Sequence, residues 1–299
     1  MATVQSGITL THRKAGIFLE VNVQQNEQLP EKIRNIHTQF KALQAQYPDE
    51  QLGLTIAFGH KLWRSLKGET SAPELKDFVA LGKEGREFAP ATQRDLFVHI
   101  QSDRPDLNFS IALIVSEQLQ DIATIAEETH GFRWVEERDF TGFVDGTENP
   151  ETDEKLREYA LVEEGEDAGG SYVLSQRYAH QLSKWHKMSV DRQEQVIGRT
   201  KADSVELDDV PAHSHVGRVD LKENGKGLKI LRHSLPYGKV SGEHGLYFIA
   251  FSKRLYNIDQ QLKSMFGELD GKTDRLLGFT QAMNGSYYFA PNLETLLSL

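Results

Sequence analysis

The chain has 299 residues, 44 acidic against 34 basic, and a formal net charge of -10. That balance argues against a general nucleic-acid binder, which needs clustered Lys and Arg to neutralise phosphates. The absence of cysteine removes disulfides, thiolate nucleophiles, Cys-ligated zinc, iron–sulfur clusters and thiolate-ligated haem. No segment approaches about 18 uninterrupted apolar residues, so no membrane span is expected. Met1–Glu20 carries no apolar leader, which makes the cytoplasm the expected location.

Ala15–Val23 is rich in β-branched and aromatic residues and predicts a strand. From Leu29 to Tyr47, Ile33, Ile36, Phe40 and Leu43 recur at helical spacing, predicting an amphipathic helix. Leu52–Phe58 predicts a second strand and Leu96–Ile100 a third. A polar turn follows, then a helix over about Leu107–Ile122. The same order returns late in the chain: a strand at Gly245–Phe251, a polar turn, and a helix from Asn257 to Phe266. This repetition predicts an α+β fold built from duplicated ferredoxin-like units, with antiparallel sheets and peripheral helices. The expected units are residues 1–138 and 139–299.

Between the two halves lies Gly142-Phe143-Val144-Asp145-Gly146-Thr147-Glu148-Asn149-Pro150. Asp-Gly after an apolar pair is a tight-turn signal, and Asn149 with Pro150 reads as the approach to a helix. The segment is either a plain connection or a glycine-permitted turn holding Asp145 over a pocket. Glu163–Gly170 reads as an exposed acidic loop. His213-Ser214-His215 forms an H-x-H pair with no third ligand nearby; Pro211 and Ser214 favour a loop there. Lys222–Gly227 carries the hairpin signal Asn224-Gly225. In a strand over Leu228–Gly238, Leu228, Ile230, Arg232 and Ser234 share one face. The other face, with Lys229, Leu231 and His233, is expected to be the solvated one. A buried Arg232 would need an anion or strong acceptors.

Taken together, GFVDGT, His215 followed by Arg218-Val219-Asp220-Leu221, the run Arg232–Gly238 and Gly245-Leu246-Tyr247-Phe248 resemble the dye-decolourising haem peroxidases. The likeness runs the full length and is greatest to their bacterial B-type branch. It implies a duplicated ferredoxin-like fold related to the dimeric α+β barrels, and one haem b per chain in the second half. It implies His215 as the axial iron ligand, Asp145 and Arg232 as the pair on the other haem face, and Leu246 and Phe248 as an apolar wall. Thr147 and Arg232 join the haem-binding set. Ser234 stands where many relatives carry Asn and would position peroxide or water. Asp274 is the candidate acid behind His215.

The activity so implied is reduction of hydrogen peroxide coupled to one-electron oxidation of dyes, phenols or porphyrinogen-type donors. Asp145 would move the peroxide proton, and Arg232 would stabilise charge as the O–O bond breaks. A neighbouring Arg232 is expected to lower the Asp145 pKa. Bulky donors would react at the haem edge or through Trp63, Trp134, Trp185, Tyr237, Tyr247, Tyr287 or Tyr288. The resemblance also implies a homo-oligomer, a dimer or higher. Two other readings stay open at this point. One is a haem- or porphyrin-handling protein with incidental peroxidase activity; the other is a non-haem metalloprotein using His213 and His215.

Overall fold

The structure is a computed structural model that describes residues 2–83 and 87–299. Ten strands form one sheet: β1 (Ala15–Val23), β2 (Gly53–Phe58), β3 (Leu96–Ser102), β4 (Ala123–Phe132), β5 (Ser171–His180), β6 (Leu231–Arg232), β7 (Leu235–Gly238), β8 (His244–Ser252), β9 (Thr280–Ala282) and β10 (Ser286–Ala290). The main helices are α1 (Leu29–Gln46), α2 (Pro105–Leu119), α3 (Asp153–Ala160), α4 (Val190–Ile197), α5 (His215–Val219) and α6 (Leu255–Met265).

The first four strands pair antiparallel in the order β4-β1-β3-β2, with α1 and α2 as crossovers. That is the βαββαβ order of a ferredoxin-like unit. The later strands repeat it: β6 and β7 act as one broken strand beside β8, β8 pairs with β5, and β5 pairs with β9 and β10. The halves meet at two seams, Tyr237 against Gly131 and Phe289 against Phe58. Because β8 also pairs with β5, the sheet closes on itself as a barrel. Closure removes the exposed edges that two separate sheets would present.

Barrel closure explains the apolar runs. Along β1, Ala15 through Val21 are all buried, because alternate residues face the helices and the interior. Ile17, Leu19 and Val21 join Ile33, Ile36 and Phe40 of α1 and Ile111 and Val115 of α2. Phe18 joins Phe97, Val173, Tyr247, Ile249 and Tyr288 inside. A proline in the first turn of both α1 and α2 costs no helical hydrogen bond there.

The same closure corrects one expectation. His233 is 7% exposed, with Nε2 2.9 Å from the Ile8 carbonyl, and Leu231 is fully buried. At Leu231 and His233 the odd face of that segment looks into the barrel and not into solvent, while Lys229 stays part-exposed beside Glu148. The segment is also not one strand: it breaks at His233-Ser234 between β6 and β7. The Asn224-Gly225 hairpin is present, with φ of 50° and 78° at the two turn residues. Among the described residues no helix is long and apolar enough to cross a membrane.

Candidate functional site

A cavity of ≈ 400 Å³ lies beside the second half of the barrel, against the outer face of β5 and β8. Leu246 and Phe248 of β8 line it, facing Ile258, Leu262 and Met265 of α6. Leu228, Ile230 and Arg232 line it too, with Lys229 between them at its rim.

The loop before α3 brings Asp145 to the wall. Gly142 and Gly146 sit at φ of 87° and 77°, a region costly for any residue with a Cβ. Asp139 N donates to Phe143 O at 2.9 Å, and Asp145 N donates to Glu137 O at 2.9 Å, fixing the turn. Asp145 Oδ1 then accepts from Gly146 N at 2.8 Å and lies 3.4 Å from Arg232 Nη1. Its carboxyl is raised above the ordinary range. Burial is the largest cause; Arg232 pulls it down and Asp139 pushes it up. The expected lowering by Arg232 is therefore present but outweighed, because enclosure penalises the ionised form more than one cation at 3.4 Å relieves it.

His215 opens α5, behind the cap Ser214, whose Oγ accepts from Gly217 N at 3.1 Å. His215 Nδ1 lies 2.7 Å from Asp274 Oδ2, and the Asp274 side chain is fully buried. A carboxylate only accepts, so Nδ1 carries a hydrogen, and in the neutral ring Nε2 keeps its lone pair where the ring lines the cavity. Asp274 is itself pinned: its Oδ1 accepts from Leu276 N at 2.9 Å. His213 does not join the cavity wall; its carbonyl accepts from Arg275 N at 2.9 Å. Among the described residues no three His, Asp or Glu gather as a metal site, so the H-x-H reading finds no support.

Thr147 lines the cavity from an exposed rim position. Ser234 lies elsewhere, on a smaller cavity of ≈ 80 Å³ whose walls include His12, Arg13 and Trp134. Asp145 and Arg232 line both cavities and form the partition between them.

Sequence reasoning missed three features. Asn149 accepts from Arg232 N at 2.9 Å and donates to Arg232 O at 2.8 Å, tying the loop to β6. His180 lines the cavity with Nε2 2.8 Å from Asp139 Oδ1 and Nδ1 2.7 Å from Thr280 Oγ1. Burial pushes the Asp139 carboxyl up, but His180 and the hydrogen bonds from His180 and Thr141 hold it below its usual range. At the rim, Arg199 and Lys229 both pair with Glu148. The only sequence signal for Asp139 was an acid beginning a glycine-punctuated turn; Asn149 read merely as a helix approach.

This donor set fits a haem. One imidazole nitrogen of His215 is unengaged, both ring nitrogens of His180 are held by Asp139 and Thr280, and two apolar walls stand apart with an Asp–Arg pair on the cavity lining.

Comparison with known proteins adds independent findings. The family model for the Dyp-type peroxidase N-terminal region matches residues 5–133, and that for the C-terminal region matches residues 136–295. A dye-decolorizing peroxidase from Mycobacterium tuberculosis is 39% identical over 262 residues, covering 86% of this chain and 78% of that one. A solved dye-decolorizing protein from V. cholerae superposes with a TM-score of 0.94 at 45% identity, covering 98% of this chain and 99% of that one. A variant of DypB from Rhodococcus jostii RHA1, solved in complex with heme, gives 0.91 at 35% identity and 96% coverage of both chains.

Proposed function

The chain belongs to the Dyp-type peroxidase family, and on that premise we propose that it binds one haem b in the large cavity, reduces hydrogen peroxide there, and oxidises dye, phenolic or porphyrinogen-type donors in one-electron steps. The observation that carries this reading is one apolar cavity lined by an imidazole with a free Nε2 and by an Asp–Arg pair. Bound haem supplies the redox iron.

The chain's own groups do the rest. His215 would hold the haem iron through Nε2, oriented by Asp274 through Nδ1. Leu246, Phe248, Ile258 and Leu262 seat the macrocycle and exclude water. Asp145 takes a proton from the inner peroxide oxygen and returns it to the outer one, general acid–base work by one carboxylate. Arg232 stabilises the negative charge that grows as the O–O bond lengthens. The smaller cavity, bounded by Asp145, Arg232 and Ser234, gives peroxide a way in from the surface. Ser234 Oγ holds peroxide or water there. A cavity of ≈ 80 Å³ is too small for large donors, so these give electrons at the rim of the large cavity or through protein aromatics.

The proton-handling pair favours peroxide cleavage over simple porphyrin handling, for which an Asp–Arg partition has no task. Residues 1–138 and 139–299 are taken as the duplicated units, supported by the repeated strand order. A homo-oligomer, resting on family resemblance, completes the reading.

An absorption spectrum of purified protein, before and after one equivalent of peroxide, tests it. A haem band that shifts with peroxide, and that is lost in His215→Ala, is expected. A His215→Ala chain that keeps its haem and an unchanged spectrum overturns the assignment.

A further inference from the structure

Strand β8 has two faces with different contents. Leu246 and Phe248 line the large cavity, while Tyr247 between them points into the barrel and is 1% exposed. Its ring stacks on Phe18, with centroids 4.0 Å apart and planes 9° from parallel. Its hydroxyl lies 2.9 Å from Glu20 Oε1 and 2.7 Å from Ser175 Oγ, so its proton reaches Glu20 directly or through the Ser175 hydroxyl. Glu20 is fully buried on β1, and the same oxygen accepts from Ser175 Oγ at 2.6 Å and Asn284 Nδ2 at 2.9 Å. Glu20 Oε2 is buried without a partner among the described residues.

A phenol gives up an electron readily only when its proton leaves in the same step. The base on its hydroxyl therefore decides which tyrosine is oxidisable. Among the described residues three tyrosines donate to a carboxylate. Tyr237 donates to Glu243, which also pairs with Arg177. Tyr287 donates to Asp259, which Lys76 and Lys263 flank at 3.1 and 2.9 Å. Those cations stabilise the ionised carboxylates and weaken them as proton acceptors. Glu20 has no such cation in ion-pair contact among the described residues. Burial pushes its carboxyl up to about 7, against the hydrogen bond from Ser175 and with help from nearby Glu127.

Building on the peroxidase reading above, we propose that Tyr247 is a redox-active tyrosine and Glu20 its proton acceptor. When peroxide has oxidised the haem site and no donor is present, the Tyr247 ring passes one electron across β8 to that site. Its hydroxyl proton moves to Glu20, leaving a neutral phenoxyl and a carboxylic acid. One of the two oxidising equivalents of peroxide is then held inside the barrel. A later donor returns the electron, Glu20 returns the proton, and both residues regain their starting forms.

The test uses the haem-loaded full chain, mixed with one equivalent of peroxide without donor, freeze-quenched and read by electron paramagnetic resonance. The wild type is expected to give a tyrosyl signal that narrows when the protein carries ring-deuterated tyrosine. The signal is expected to vanish in Tyr247→Phe and to persist in Tyr237→Phe and Tyr287→Phe. Glu20→Gln keeps the ring and an acceptor oxygen but cannot take the proton, so it too is expected to lose the signal; it decides the matter if Tyr247→Phe fails to fold. A tyrosyl signal that survives in Tyr247→Phe or Glu20→Gln overturns the inference, as does a wild type whose haem spectrum responds to peroxide with no tyrosyl signal. A haem spectrum that ignores peroxide altogether overturns the peroxidase reading, and this inference with it.

Discussion

The side-chain amide of Asn149 clasps the main chain of Arg232, accepting from its N–H at 2.9 Å and donating to its C=O at 2.8 Å. Asn149 N also donates to Gly146 O at 2.8 Å, so one residue joins the turn that carries Asp145 to the strand that carries Arg232. Asn149→Ala leaves partly buried main-chain groups unpaired and is expected to cost about 1–3 kcal/mol. Urea denaturation of the haem-free chain measures this. The rate of reaction with peroxide should fall as well, because the 3.4 Å spacing of the Asp145–Arg232 pair is no longer held. Unchanged stability and rate would show the clasp to be idle.

Asp274 fixes which nitrogen of His215 meets the cavity. Asp274→Asn can present its amide with either end toward Nδ1, so the ring loses its charged partner and its single orientation. Haem affinity is expected to fall by about 10–100-fold, the usual cost of losing such a partner. Transfer of haem to a scavenging apoprotein checks it; a transfer rate equal to wild type would refute the role.

The pH profile follows from the raised Asp145 carboxyl. A base must be ionised, so the acid limb of kcat/KM for peroxide should lie above the ordinary carboxylate value of about 3.9. Activity then falls as pH drops through the raised pKa. Arg232→Leu removes the cation that pulls the pKa down and should move the limb to higher pH. Asp139→Asn removes the anion that pushes it up and should move the limb lower. Asp145→Asn should lose about 10²–10⁴-fold in rate while keeping haem. Limbs that stay in place in both neighbours' variants would detach the profile from Asp145.

Stability should run the other way at the same residue. A carboxyl whose pKa is raised by folding contributes stability that is fully present below its unfolded value of about 3.9 and is lost as pH rises through the folded value. At neutral pH the ionised Asp145 is thus a burden on the haem-free fold. Asp145→Asn is expected to raise its melting temperature at pH 7, and to have no such advantage at acidic pH where Asp145 is protonated. Melting curves at the two pH values test the sign.

Trp185 supports the same turn from behind. It is fully buried, and its Nε1 donates to Thr141 O at 2.8 Å. Trp185→Phe keeps an aromatic ring but leaves that buried carbonyl unpaired, at a cost of about 1–3 kcal/mol. Denaturant midpoints would register the loss.

The sequence alone determined the local features. Apolar spacing marked α1 and α6, Asn224-Gly225 marked its hairpin, and glycine around Asp145 marked a turn, because each depends on neighbours a few residues away. The resemblance named Asp145, Arg232, His215 and Asp274, and those residues do meet in pairs across 87 and 59 positions of chain. Only the tertiary structure decided that the sheet closes. Closure buried Leu231 and His233, and the packing of the Asp145 loop on the barrel raised Asp145 despite its arginine and brought Asn149 to Arg232 across 83 positions. Periodicity records which face of a strand is apolar, not which distant strand will cover it. The electrostatic balance at a carboxylate depends on that cover, so neither could be read before the barrel was assembled.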